Sequence, residues 1–425
     1  MEAKKALKLW VVGAVLLAVC IAGHSLTTSP ALAAKKVEVN VTAYSWMYSL
    51  NPNLWELAEE YNRQNPDIYV KLTRSPTEGF DVTRFKLEAA RKRSTWDAWM
   101  GITPFIDFYP LVTAGVLDPW DEYIPGDILR DVFPVSVEES TYQGKLYSWP
   151  IMISVTGINY RPGMLKMAGY EKPPETWNEL LQASAKIMGA LKAPDGKPVY
   201  GIVMDQRAWW RYFVPVGFSF SKDILDSEGV VNWDSPAVVE TLEMMKKIVQ
   251  YSPPDIYAPG GDMEVFKAGK AAMLIKYVDA GMTAAKVFGL GDFAFAALPA
   301  AGPGKHNGTA EWTTGASLFK YGEYKKEAAD FMAYLIKNEQ FQRGWIDSAE
   351  PPAYVSWSEK WKDVGWLVSN RKQMDRARYI PPMRYFGALI QVWRPAQERF
   401  LKGEISAQQM LMEARKAYEE AIKKM

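Results

Sequence analysis

From residue 37 onward, apolar positions recur in two alternating rhythms. Val37, Val39, Val41 and Ala43 alternate with Glu38, Asn40 and Thr42, the period of two that marks a half-buried strand. Asn51-Pro52-Asn53 interrupts the chain. Leu54, Leu57, Ala58 and Tyr61 follow at helical spacing, and Asn65-Pro66 ends that helix. Ile68, Val70 and Leu72 alternate again as a strand. A β–α–β start of this kind argues for a parallel sheet.

The same style continues downstream. Thr176, with Glu179 three residues on, forms a capping box ahead of the apolar face Trp177, Leu180, Leu181, Ile187, Met188 and Leu191. Ser235-Pro236 opens a helix whose face is Val238, Val239, Leu242, Met245 and Val249. Ala328, Phe331, Met332, Leu335 and Ile336 mark another helix, and Ala407, Met410, Leu411, Ala414, Tyr418 and Ala421 the last. Strand and helix patterns alternate over about 390 residues, beyond the size at which one core stops growing, so two α/β lobes are expected. No low-complexity linker separates them. That predicts strands or short segments crossing between lobes.

Composition narrows the chemistry. The 425 residues include one Cys, two His, 17 Trp, 22 Tyr and 17 Phe. One Cys excludes an internal disulfide, and Cys/His metal sites are close to excluded. A formal net charge of +1 gives no basic excess for nucleic acid. The chain is poor in nucleophiles and rich in flat apolar rings, so no catalytic residue, cofactor or metal ligand is expected.

The first 33 residues read as an address. Lys4, Lys5 and Lys8 precede an apolar run from Leu9 to about Gly23, and Ala31-Leu32-Ala33 gives an A-x-A cleavage pattern. The run is short for a bilayer span of ~20 residues. Cleavage after Ala33 is expected, giving a secreted, periplasmic or cell-surface protein. Lipid anchoring at Cys20 is the weaker alternative, because Val19 stands where such a site takes a small residue. Cleavage removes Cys20, His24, three Lys and one Glu, which takes the formal net charge from +1 to −1.

Several segments resemble one family. Glu60-Tyr61-Asn62-Arg63-Gln64-Asn65-Pro66-Asp67-Ile68 is similar to its E-x-N-P-x-I helix end, and Ala114-Gly115-Val116-Leu117-Asp118-Pro119 to its A-G-x-L-x-P turn. Gly144-Lys145-Leu146-Tyr147-Ser148-Trp149-Pro150 resembles G-K-x-Y-x-x-P. Asn159-Tyr160-Arg161, Pro174-Glu175-Thr176-Trp177-Asn178-Glu179-Leu180 and Phe266-Lys267-Ala268-Gly269-Lys270-Ala271-Ala272-Met273 resemble further motifs in the family's order. Each is weak alone, but their order and spacing are specific. On them the chain is identified as resembling the solute-binding proteins of ABC importers, in the sugar-binding, maltodextrin-binding-protein-like class.

That resemblance implies a two-lobed α/β periplasmic-binding-protein fold with a multi-crossing hinge and an interlobe ligand cleft. It implies a first lobe of 34–150 with 299–350 and a second of 151–298 with 351–425. Crossings are expected near Trp149 to Val155, Phe293 to Pro299 and Ser348 to Ala353. The implied partners are a small carbohydrate or polyol and the transmembrane subunits of a permease, with the receptor itself a monomer.

A sugar presents an apolar ring face and an equator of hydroxyls, so aromatic rings plus carboxylates, amides and Arg suit it. Trp46 and Tyr48 follow the first strand at its carboxyl end. Gly101 and Thr103 end the stretch Asp97-Ala98-Trp99-Met100-Gly101-Ile102-Thr103; Trp96 and Trp99 are expected in the core. Trp209 and Trp210, between Arg207 and Arg211, are read as strand neighbours facing opposite ways, one of them toward ligand. By the resemblance, Ile275-Lys276-Tyr277-Val278-Asp279 ends a strand at the cleft, which makes Tyr277 and Asp279 candidates. Trp312 lies in Glu311-Trp312-Thr313-Thr314-Gly315, and Arg384 and Tyr385 precede a late helix.

Other signals carry less. Gly302-Pro303-Gly304-Lys305 lacks the first Gly and the Ser/Thr of a P-loop. Asp195-Gly196-Lys197 is a turn, and Arg91-Lys92-Arg93 is an exposed helix end. His306 is expected at the surface. The first alternative ligand class is charged: an anion held by Arg207, Arg211 and Arg384, or a cation held by Asp97 and Asp279. A secreted glycoside hydrolase is the distant alternative, with no motif pairing its two carboxylates.

Overall fold

The computed structural model describes residues 36–75, 82–204, 209–254, 261–374 and 377–424. The leader, its cleavage site and Arg207 lie outside the described residues.

The first alternating segment is strand β1, Val37–Tyr44, and the second is β2, Ile68–Ser75, parallel to it from Val37 opposite Ile68 onward. The helix Asn53–Gln64 joins them and buries Leu54, Leu57, Ala58 and Tyr61. Strand β3, Ala98–Ile102, lies parallel to β1 and is buried throughout. Short strands β4 (Leu117–Asp118), β5 (Thr141–Tyr142) and β6 (Lys145–Leu146) lead to the long strand β7, Trp149–Tyr160. Then come β8 (Tyr200–Val203), β9 (Ala271–Tyr277), β10 (Ala294–Ala296), β11 (Ala310–Phe319) and β12 (Arg378–Tyr379).

The strand order is β2-β1-β3-β11-β7-β9-β8. The sheet is mixed where a parallel one was expected. Pairing is parallel at β2–β1–β3 and at β8–β9, but antiparallel at β3–β11, β11–β7 and β7–β9. β11 is the physical reason: the chain returns along it from the far side, so it runs against both neighbours.

Two cores result. One gathers Val39, Leu57, Trp120, Trp149, Met332 and Trp345, the other Ile158, Trp177, Phe213, Leu242, Trp393 and Tyr418. β7 belongs to both lobes. Trp149–Val155 pair with β11, and Thr156–Tyr160 pair with β9. Its buried run from Trp149 to Asn159 fits a strand covered on both faces. The segment after Glu350 runs beside it, with the N–H of Ile153 donating to Pro351 O at 2.8 Å and that of Ala353 to Ile151 O at 3.1 Å.

The lobes are interleaved at their edges. Ala353, Tyr354 and Met374, from a stretch expected in the second lobe, pack into the first core, and the chain joins the second core at Ile380. Tyr354 explains the detour. Its hydroxyl accepts from Trp149 Nε1 at 2.9 Å and donates to Pro150 O at 2.7 Å. Conversely, Ala310 and Trp312 belong to the second core.

Most of the aromatic wealth is structural. Trp99, Trp120, Trp149, Trp177, Trp345 and Trp393 are essentially fully buried, and Trp96 packs beside the cluster around Trp99. The helices follow the sequence pattern: Trp177–Ala190 has the Thr176–Glu179 capping box, and Pro236–Val249, Lys325–Lys337 and Ala407–Ile422 fall where expected. Among the described residues no helix is long and apolar enough to cross a membrane.

Candidate functional site

The carboxyl end of β9 meets the hinge strands at the lobe junction. Tyr277 lies opposite Thr156 of β7, and Trp312 of β11 lies opposite Ser154. Cross-strand partners share a face, and alternation puts Ser154 and Thr156 on the same one. Tyr277 and Trp312 therefore meet, with ring centroids 5.7 Å apart and planes at 88°. The Arg211 guanidinium lies 5.1 Å from the Tyr277 ring centre.

Charged groups surround these rings. Asp279 sits in the first turn of the helix Val278–Phe288, where Oδ1 accepts from the N–H of Ala280 at 2.6 Å. Burial nevertheless pushes its carboxyl up to about 7, opposed by that bond, Lys276 and Arg211. Glu350 accepts at Oε2 from the Ser154 hydroxyl at 3.0 Å; burial, then Asp279, raises it well above the usual carboxylate range. Lys276 and Asp262 form a buried pair at 2.8 Å, and the Tyr212 hydroxyl donates to Ile275 O at 2.9 Å. Such a set offers hydroxyl acceptors and donors beside flat apolar faces.

The first-lobe candidates form a second group. Trp46 is half-buried on the short helix Ser45–Leu50 and stacks on Tyr44, with centroids 6.3 Å apart. Tyr48 is turned into the core. Its hydroxyl donates to Thr73 O at 3.2 Å, and Arg74 lies 4.6 Å over its ring. Gly101 has φ +107°, and a Cβ there would fall 2.6 Å from Tyr44 Cδ2. Thr103 stands at the start of the helix Pro104–Val112 without a side-chain capping bond, and its N–H donates to Asp107 Oδ2 at 2.9 Å. Burial pushes Asp107 up to about 7.

A third group joins the lobes at their rim. The Arg384 guanidinium lies 5.2 Å from the Tyr109 ring and 5.0 Å from that of Tyr385. Beside it the N–H of Met383 donates to Phe105 O at 3.1 Å, and Phe105 meets Phe386 edge-on at 5.9 Å.

Three expectations change. Trp209 and Trp210 open a helix, Trp209–Phe218, instead of lying on a strand. Helical neighbours diverge by about 100°, so the opposite-faces argument does not apply; their side chains lie outside the described residues. Asp97 is committed elsewhere, accepting from the N–H groups of Asn40 and Tyr324 at 2.8 Å each, so it does not converge with Asp279. His306 is half-buried, more enclosed than the surface position expected.

Sequence reasoning expected an interlobe cleft but missed Asp107, Lys276, Glu350 and the residues that line the cleft. That cleft, of about 780 Å³, has Phe133 and Glu138 on one side, Phe218 and Lys222 on the other, and Arg378 and Tyr379 of β12 between. None of the candidates named from sequence lines it. Glu350 carried one usable signal, an acid directly before Pro351-Pro352; the residues lining the cleft carried none. Among the described residues no group of three or more His, Cys, Asp or Glu is arranged to hold a metal ion.

Known proteins match this architecture. A probable ABC transporter-binding protein of Deinococcus radiodurans is 25% identical over 347 residues, 78% of this chain and 76% of that protein. Maltose-bound MalE3 of T. maritima superposes with a TM-score of 0.74 at 21% identity, over 90% of this chain and 99% of that one. The Thermus thermophilus maltotriose binding protein, bound with maltotriose, gives 0.70 at 19%, over 90% and 100%. The structural likenesses concern the fold. The family model for bacterial extracellular solute-binding proteins matches residues 49–340, and with its two lobes and interlobe crossings this chain belongs to that family.

Proposed function

We propose that the chain captures a neutral oligosaccharide of the maltodextrin type between its lobes and delivers it to the membrane subunits of an ABC permease, without turnover. The perpendicular Tyr277–Trp312 pair, flanked by Arg211 and Asp279 at the end of β9, carries this reading. Rings cover sugar faces, and the carboxylate and guanidinium bond hydroxyls. Trp46, Gly101 and Thr103 supply the first-lobe wall, Trp209 and Trp210 the second-lobe wall, and Arg384 and Tyr385 the rim. Tyr48 contributes from the core, where its hydroxyl holds Thr73 O and its ring lies under Arg74. The solved relatives with maltose and maltotriose make those sugars the first to test.

The working cycle is a population shift. Only the closed form contacts the ligand from both lobes, so ligand stabilises closure. We place the protein outside the cytoplasmic membrane after leader cleavage at Ala33, as a monomer and without a lipid anchor at Cys20. Mass spectrometry of the secreted protein reads the processing, and size-exclusion with light scattering reads the monomer.

Calorimetry against maltose, maltotriose, maltotetraose and polyols tests the ligand, with an expected Kd on the order of micromolar, ~−8 kcal/mol. Trp312→Ala is expected to weaken binding at least tenfold. A charged-ligand receptor is the second reading, favoured by the Arg211–Asp279–Glu350 set. Binding of a phosphodiester, amino acid or polyamine with no response to any sugar would replace the carbohydrate assignment.

A further inference from the structure

On the opposite face of the hinge strands stands another group of acids. Glu311 precedes Trp312 on β11, so alternation turns it away from the Tyr277–Trp312 face, together with Thr313. Its cross-strand neighbours are Val155 of β7 and Tyr379 of β12. The helix Pro134–Glu139 packs on this side and brings Glu138 and Glu139.

The sheet has a local gap here. β12 pairs with β11 only at Ala310 and Glu311, and β3 pairs with it only from Gly315 onward. Glu139 fills the interval, its Oε2 accepting from the N–H of Thr313 at 2.5 Å. A carboxyl thus stands in for a missing strand partner, directly beside a second buried carboxyl.

Among the described residues no basic group offsets the pair. Glu139 and Glu311 are fully buried. Among the described residues, neither Oε of Glu311 nor Oε1 of Glu139 has a hydrogen-bond partner. The titratable groups facing them are Glu138, on the same helix, and Tyr379 of β12, whose hydroxyl donates to Glu138 Oε1 at 3.1 Å. Arg378, next on β12, points to the second lobe, donating to Phe218 O at 3.1 Å. Lys222 lies across the cleft with Glu138 and Arg378. Two carboxylates in one dry site cannot both ionise without a large penalty.

We propose that Glu139 and Glu311 form an acid pair that keeps at least one proton at neutral pH, and that this proton fastens the helix Pro134–Glu139 to hinge strand β11, so that alkaline pH loosens the hinge. Burial, then Glu138, pushes Glu311 up to about 8; burial, then Glu311, pushes Glu139 up as well. A carboxyl raised in the fold contributes stability that is complete below the unfolded value of about 4.3 and is lost as pH rises through the folded value. The window is therefore acid to mildly alkaline, with the loss complete above about 8.

The test is thermal unfolding of the full chain from pH 5 to 9, wild type against Glu311→Gln, with Glu139→Gln as second variant. Glu311→Gln should match wild type at pH 5 and melt at least about 2 °C above it at pH 9. Subtracting the two profiles removes other titrating groups. Parallel profiles, or a Gln variant less stable at pH 9, overturn the acid pair. So does alkaline stability of the wild type that calcium raises and EDTA removes, since a cation would then hold the two acids. If neither variant folds, hydrogen exchange of the wild type decides alone. Corrected for intrinsic rates, it should accelerate above pH 8 in 134–139 and 310–319 before the rest of the chain; uniform acceleration overturns the hinge role. Neither measurement uses a ligand, so failure of the sugar assignment leaves this proposal intact.

Discussion

Gly101, one residue before the end of β3, has backbone and side-chain space both committed. Its φ of +107° strains any L side chain, and a Cβ would strike Tyr44, whose ring lies 5.3 Å from that of Trp99. Gly101→Ala is expected to cost about 1–3 kcal/mol, read as a lower urea midpoint. Asp279 makes a different prediction. Its carboxyl is raised to about 7, so the stability tied to its neutral form is present below the ordinary Asp range and lost as pH rises through about 7. Asp279→Asn should flatten that part of the urea-midpoint profile between pH 4 and 8; an unchanged profile would remove Asp279 as the source. Some of this scale was open to the sequence. Tyr277, Asp279 and Trp312 were named from the motifs that resemble the family, and the register of β7, β9 and β11 accounts for the meeting of Tyr277 with Trp312. Glu350 did not follow from the sequence, since its importance comes from burial beside Ser154 and Asp279, far away in the chain, and Asp107 did not because its burial arises only in the fold.

At the scale of elements, local signals held where the chemistry is local. Thr176 and Glu179 cap their helix reciprocally, and Thr176→Ala should cost about 1 kcal/mol by denaturant melt. Trp209-Trp210 shows the limit. A short aromatic run fits a buried strand or a buried helix, and only the length of the segment to Phe218 decides for helix. The mixed sheet was hidden for a related reason. The β–α–β start was legible, but the direction of β11 depends on a return path through the second lobe, which no local pattern records. The rim contact is also non-local. Phe386→Ala removes an edge-on aromatic pair worth about 0.5–1.5 kcal/mol between Phe105 and the late helix. The ligand-free variant is expected to open further, seen as a larger radius of gyration by small-angle scattering.

For the whole molecule, the order of motifs along the chain conveyed the two-lobed plan because that plan is a matter of sequence order. The packing of Tyr354 and Met374 back into the first core was not conveyed. If the lobes close on a ligand, saturation at 100 times Kd should stabilise the chain by about 2.7 kcal/mol, raising the melting temperature, with no shift for a non-binding sugar. The placement of β11 reaches further, into how the chain comes into being. This strand fills the space between β3 and β7, yet it follows the whole run from Tyr160 to Ala300. A nascent chain that has emerged only as far as Ala300 leaves β3 and β7 as open edges, and the first core cannot close over them. The lobe that begins first therefore finishes late. A growing polypeptide of this design stays loose through most of its synthesis, the state in which a protein can still be threaded through a membrane channel before it folds.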